Sequence, residues 1–186
     1  MKTNIAGERA LVTGAGSGIG RAVAVRLASL GCTVTLAART LEKLEETATL
    51  CNAAAREAGH ATNAIAHTCD LMSEQSILSL VRAVADEGGL DILVNNAGIV
   101  QAGPLEGIAT EQFDAVMATN ARAPFILMRE TLPLLRASRA AEIVNVCSVV
   151  AHAGSDKAAL AGQRTRHKEH LPVDPRDAAP VARRAD

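Results

Sequence analysis

The chain has 186 residues, 19 Lys/Arg against 20 Asp/Glu and a net charge of −1. It therefore has no long-range positive field to draw in a polyanion, and with Phe113 and Phe125 as its only Phe, Tyr or Trp residues it has no stacking platform for bases, which speaks against a nucleic-acid partner. At 48% apolar residues the length suits one soluble domain around one closely fitted aliphatic core.

In chain order, short β-branched runs alternate with longer helical ones. Strands are expected at Ala10 to Thr13, Thr33 to Ala37, Ala61 to Ala66, Asp91 to Asn95 and Glu142 to Cys147. Helices are expected between them, at Gly18 to Leu30, Leu41 to Ala58, Ser73 to Glu87 and Thr110 to Arg136. Each is long enough for a right-handed crossover between parallel strands. The strands are apolar on both faces, as in Asp91-Ile92-Leu93-Val94-Asn95, which fits a sheet covered by helices on both sides. The fold class read from this order is α/β: a Rossmann-like, doubly wound parallel sheet of about five strands. No internal repeat is visible.

The composition changes after Gly154. From Ser155 onward the only large apolar residues are Leu160, Leu171, Val173 and Val181, among many charges and with prolines at 172, 175 and 180. Ser155-Asp156 can cap a short helix over 155–170, stopped by Pro172, and 171–186 reads as a disordered tail. The division expected is 1–154 as the folded domain, with an irregular polar segment after it.

No apolar run approaches the ~18 residues of a membrane span, and Met1-Lys2-Thr3-Asn4 does not lead into a signal-type core, so no membrane association and a cytoplasmic location are expected. Cys32, Cys51, Cys69 and Cys147 lie far apart without a C-x-x-C pair and read as reduced thiols rather than a disulfide framework or zinc site. His167 and His170 are one helical turn apart, but no third ligand accompanies them, so no metal site is expected.

The first chemical signal is Ala10-Leu11-Val12-Thr13-Gly14-Ala15-Gly16-Ser17-Gly18-Ile19-Gly20, a strand running through glycines into a helix. Such a turn lets backbone N–H groups approach a pyrophosphate at the positive end of the helix. The spacing is G-x-x-x-G-x-G and not G-x-G-x-x-G. Its plain alternative is a tight strand-helix connection. The second signal follows the second strand, where Arg39 appears and no acid precedes Glu42. An acid at this strand end binds the ribose 2′-hydroxyl of NAD, whereas an arginine accommodates the 2′-phosphate of NADP. Arg39 thus favours NADP, with NAD the lesser choice; its plain alternative is a solvated surface arginine.

Thr13-Gly14-x-x-x-Gly18-x-Gly20 together with Asn95-Asn96-Ala97-Gly98 after the fourth strand resembles the short-chain dehydrogenases/reductases over residues 5 to 154. The resemblance implies an NAD(P)-binding domain. In it Gly14, Ser17, Gly18, Ile19 and Gly20 surround the cofactor phosphates. Asp70, with Leu71 beside it, meets the adenine ring, and Asn96, Ala97 and Gly98 contact the ribose and support the central sheet.

The resemblance also implies an oxidoreductase in which Ser, Tyr and Lys, assisted by Asn, move a hydride between the nicotinamide and an alcohol or carbonyl such as a 3-oxoacyl compound. The tyrosine donates the proton, and nearby positive charge lowers its pKa from the usual value near 10. Ser148 matches the family serine and lies beyond a strand end, where ligands sit in open α/β sheets. Asn120 matches the asparagine. Pro124 has no N–H, so the Asn120 carbonyl lacks its helical partner and can hold a water, as the family's proton relay does; a helix-kinking proline with no catalytic role is the alternative.

The pattern then departs, because the chain contains no tyrosine. If Lys157 is the family lysine, Ala153 stands where the tyrosine belongs. Either a deletion removed the tyrosine or the reading frame changed near Gly154, and a solvated helix-start lysine remains an alternative for Lys157. His152 and Cys147 lie near Ser148 without supporting partners in sequence. The sheet is expected to be incomplete at its C-terminal edge. That leaves the fifth strand with a bare edge, Phe113, Met117 and Leu127 partly uncovered, the family's homo-oligomer interface compromised and the protein prone to aggregate. The function expected is an NADP-dependent oxidoreductase by descent, impaired in catalysis. The alternatives are a cofactor-binding or interaction remnant and a non-functional truncated product.

Overall fold

A computed structural model of the protein describes residues 4–101 and 105–148. Five parallel strands form one sheet in the order β3-β2-β1-β4-β5. In chain order the elements are β1 (Arg9–Thr13), α1 (Gly18–Ser29), β2 (Thr33–Ala38), α2 (Leu41–Glu57), β3 (Ala64–Thr68), α3 (Glu74–Asp86), β4 (Ile92–Asn95), a 3₁₀ turn (Leu105–Gly107), α4 (Thr110–Met117), a π-helical turn (Ala118–Arg122), α5 (Ala123–Ala137) and β5 (Glu142–Asn145). The strand order reverses direction at β1, where β2 pairs on one side and β4 on the other. That switch opens a crevice beyond the carboxyl ends of the strands.

Side chains alternate across the sheet because successive Cβ atoms point to opposite faces. Ala10, Val12, Val34, Leu36, Ile92 and Val94 pack on one face against Ala24 and Ala28 of α1 and Leu44, Cys51 and Ala55 of α2. Leu11, Ala37 and Leu93 pack on the other against Ile77, Leu80, Val81 and Val84 of α3 and Ile126, Leu127 and Leu135 of α5. The two layers explain why the central strands read as continuous apolar runs: β4 is buried along its whole length.

Three sequence expectations shift. Strand β3 is not at Ala61 to Ala66 but at Ala64–Thr68, because its ladder with β2 pairs Val34 with Ala64 and ends at Ala38 with Thr68. Strand β5 stops at Asn145 rather than Cys147, since its partner β4 ends at Asn95, paired with Asn145. The single helix over Thr110 to Arg136 is two helices joined by the π turn, in which the Ala123 N–H reaches the Ala118 carbonyl five residues back. Pro124 accounts for the break, as it supplies no N–H to continue the i to i−4 ladder. Helix α3 starts at its cap, where Ser73 Oγ accepts from Ser76 N at 3.3 Å. Ser73→Ala should cost about 1 kcal/mol, read as a lower urea midpoint at unchanged slope.

The expected exposure on the α4–α5 arm is corrected in part. Phe113 is exposed and Met117 half-buried, but Leu127 is 1% exposed, because it faces α3 within the second layer. The more open aromatic is Phe125, 56% exposed, with the Arg129 guanidinium 5.6 Å from its ring centre. Among the described residues β5 is an edge strand, and its Val144 is exposed. No helix among them is long and apolar enough to cross a membrane. His152, Ala153, Lys157, His167, His170, the helix expected over 155–170 and the tail at 171–186 lie outside the described residues.

Candidate functional site

The crevice at the switch point is a cleft of about 450 Å³. Of the residues singled out in the sequence, it brings together Gly14, Ser17, Ile19, Arg39, Asp70, Leu71, Asn96, Ala97 and Gly98. Gly18 and Gly20 do not line it. Gly18 opens α1 with φ +55 and nothing within 4 Å of an added Cβ, while Gly20 packs beneath the turn, where a Cβ would lie 2.3 Å from the Gly14 carbonyl oxygen.

The floor of the cleft is a joint between two turns. Thr13 Oγ1 accepts from the backbone N–H groups of Asn96 at 3.0 Å and Ala97 at 3.1 Å, and donates to the Val94 carbonyl at 3.3 Å. The Asn96 side-chain amide donates to the Thr13 carbonyl at 2.9 Å. At Gly14, φ is +67 and an added Cβ would stand 2.9 Å from Ala97 Cα. Only a residue without a side chain lets the turns after β1 and β4 touch.

One wall comes from β2 and α2. Arg39 follows β2 directly, and Lys43 reaches the cleft from the first turn of α2. The sequence reading missed Lys43, although its spacing of four from Arg39 across a helix start was a usable signal. Neither cation forms an ion pair with a carboxylate among the described residues. The opposite wall is the loop after β3. Asp70 Oδ1 accepts from Met72 N at 3.0 Å, and Ser76 Oγ accepts from Asp70 N at 3.0 Å. Asp70 thus shapes a turn and also faces the cleft. Cys69 beside it is buried, and burial raises its thiol above the ordinary value despite a hydrogen bond from Ser76, so it serves as an apolar wall.

The π turn reaches both rims. Asn120 does not line the cleft; its Oδ1 accepts from Ile99 N at 2.9 Å and its Nδ2 donates to the Ile99 carbonyl at 2.8 Å, pinning the loop that leaves Gly98. Arg122 Nη2 donates to the Met72 carbonyl at 2.9 Å, across the loop that carries Asp70. Neither contact was legible in the sequence, because both partners are backbone groups far away along the chain. Thr119 and Val146 also line the cleft. Ser148, half-buried, lies two residues beyond Val146.

With this geometry in place, the comparisons are specific. The family model for the short chain dehydrogenase matches residues 8–160. A Thermotoga maritima protein described as an uncharacterized oxidoreductase is 36% identical over 145 residues, which is 78% of this chain and 55% of that one. A metagenomic short-chain oxidoreductase solved in complex with NADP has 36% identity and a TM-score of 0.76, over 85% of this chain and 70% of that one. L-Sorbose reductase from Gluconobacter frateurii, solved with NADPH and L-sorbose, has 28% identity and a TM-score of 0.79, over 87% of this chain and 60% of that one. The chain spans about half the length of the curated relatives it matches.

Proposed function

The chain belongs to the short-chain dehydrogenase family, and from that premise we propose that it binds NADP(H) in this cleft and descends from enzymes acting on a small alcohol or carbonyl, such as a 3-oxoacyl compound. The observation that carries the reading is that one cleft gathers the glycine-rich turn, two cations that pair with no carboxylate among the described residues and the Asp70-Leu71 loop. A dinucleotide has those parts in that order: pyrophosphate, 2′-phosphate and adenine. The turn fits such a group, because Gly14 and Gly20 leave no room for side chains of their own and the backbone meets the cleft directly.

In this reading Ser17 and Ile19 flank the phosphates, Arg39 and Lys43 hold the 2′-phosphate, Asp70 and Leu71 contact adenine, and Asn96 to Gly98 meet a ribose. When bound, NADP(H) supplies the hydride chemistry. The chain's part is to place the carbonyl and supply a proton. Ser148 polarises the carbonyl, Asn120 fixes the loop at Ile99, and Lys157, outside the described residues, is the proposed lysine. No tyrosine exists to donate the proton. Loss of general acid-base catalysis costs ~10²- to 10⁴-fold, so binding should outlast turnover. The second reading, a cofactor-binding protein without catalysis, is favoured by that same absence.

Titration calorimetry of the full chain should show NADPH bound more tightly than NADH. Arg39→Ala should weaken NADPH about tenfold to a hundredfold, the range for a charge-assisted hydrogen bond, and leave NADH nearly unchanged. Equal wild-type affinities would remove Arg39 from this role. Carbonyl-dependent NADPH oxidation at rates ordinary for an enzyme, ~1–10³ s⁻¹, would overturn the impairment.

A further inference from the structure

Two carbonyls in the turn between β1 and α1 are met by side chains of α1 and α2. The Gly16 carbonyl accepts from Arg21 Nη2 at 2.7 Å, and the Ala15 carbonyl lies 3.0 Å from Thr47 Oγ1. Thr47 is fully buried. Its hydroxyl accepts from Arg21 Nε at 3.0 Å, and its one proton is shared between the Ala15 carbonyl and the Lys43 carbonyl at 2.9 Å. Arg21 Nη2 also meets Glu46 Oε2 at 2.8 Å, which fixes the guanidinium plane. The planar fork thus holds the Gly16 carbonyl directly and reaches the Ala15 carbonyl through the Thr47 hydroxyl, a two-pronged task suited to guanidinium rather than ammonium.

A trans peptide directs its N–H opposite to its C=O. With the Ala15 and Gly16 carbonyls drawn toward Thr47 and Arg21, the N–H groups of Gly16 and Ser17 point the other way. Both residues line the cleft, and neither N–H donates to another backbone or side-chain group among the described residues. Left unclamped, either peptide could flip and present a carbonyl oxygen where an anion belongs.

We propose that Arg21 and Thr47 are positioning residues that lock the Gly16 and Ser17 N–H groups toward the cleft as a preset pyrophosphate site. This rests on the NADP(H) reading above. Arg21 touches no ligand; it acts through the turn.

The test measures affinity of the full-length chain for NADPH and for adenosine 2′-monophosphate, which carries the 2′-phosphate but no pyrophosphate. Thr47→Val and Arg21→Lys should each weaken NADPH about tenfold or more, as expected when a charge-assisted bond and its partner are lost, and leave adenosine 2′-monophosphate within about twofold. Thr47→Ser, which keeps the hydroxyl, should restore NADPH binding, and thermal melting verifies that each variant is folded. Wild-type NADPH affinity in Arg21→Lys would show that charge and not the fork matters, and would overturn the proposal. Parallel weakening of both ligands would do the same, since it marks a general loss of structure. If the wild-type chain binds neither ligand, the cofactor reading fails and the clamp's role falls with it. If the wild type binds both and the variants match it, the clamp alone fails.

Discussion

Gly20→Ala should abolish NADPH binding, weakening it about a hundredfold or more, and should lower the melting temperature as well. The added methyl carbon would sit 2.3 Å from the Gly14 carbonyl oxygen, 2.5 Å from Asn96 Nδ2 and 2.8 Å from the Gly14 carbonyl carbon. Two of these atoms are backbone and cannot rotate aside, and the third is the amide that ties Asn96 to the Thr13 carbonyl. Helix α1 must therefore retreat from the turn, and the joint between the β1 and β4 turns opens with it. Overpacking of this kind costs typically ~1–3 kcal/mol in stability, but binding suffers more because the retreat moves the amides that face the cleft. Gly18→Ala makes the comparison informative: its φ of +55 imposes backbone strain, yet an added Cβ there meets nothing within 4 Å. It should destabilise by about 1–2 kcal/mol without collapsing the turn. Fluorescence titration with NADPH and thermal melting of both variants decide the matter, and retained affinity in Gly20→Ala would contradict the packing described.

Asp91→Ala should destabilise the fold by about 1–3 kcal/mol, the scale for leaving hydrogen-bonding groups without their partner, measured by urea unfolding. Asp91 is 4% exposed and stands at the head of β4. Its Oδ2 accepts from Arg9 N at 2.8 Å and Arg9 Nε at 3.1 Å, and its Oδ1 accepts from Ser138 Oγ at 2.6 Å. Its own backbone pairs with Arg9 and with Glu142. One carboxylate thus knots β1, β4 and the approach to β5. Burial by itself pushes the carboxyl up, but hydrogen bonds from Arg9 and Ser138 outweigh it and hold Asp91 below its ordinary value. A carboxyl depressed in the folded state contributes stability that is full above its unfolded pKa, near ~3.9, and is lost as pH falls through the folded value. Stability of the wild type should therefore drop below about pH 4, and Asp91→Asn should flatten that part of the profile. An unchanged acid limb in Asp91→Asn would assign acid unfolding to other groups.

Much of this arrangement was legible in advance, and the reasons are local. Strands β1, β2 and β4 combine β-branched runs with burial on both faces, and the glycines after β1 mark where backbone must approach closely. Arg39 was visible because it ends a strand with no acid beside it. Strand β3 was displaced because its edge position tolerates His67 and Thr68, which apolar patterning alone ignores; His67 finds Glu87 at 2.6 Å on the neighbouring helix end. An incomplete sheet edge predicts Leu127 partly uncovered, but Leu127 packs with Ile77, Leu80, Val81 and Val84 of α3, so its burial does not depend on that edge.

The sequence by itself determined the α/β order, the glycine-rich turn after β1, the arginine that follows β2 and the absence of a tyrosine in this chain, since each is a matter of residue type and short spacing. Only the tertiary structure decided that Lys43 joins Arg39 at the cleft, that Asn120 and Arg122 bond to distant loop carbonyls and amides, and that Arg21 and Thr47 meet the carbonyls of the glycine-rich turn. Those contacts join side chains to backbone carbonyls and amides on other elements. Every residue offers the same backbone groups, so composition and periodicity carry no trace of which ones will meet. Packing two helical layers on the sheet makes that choice.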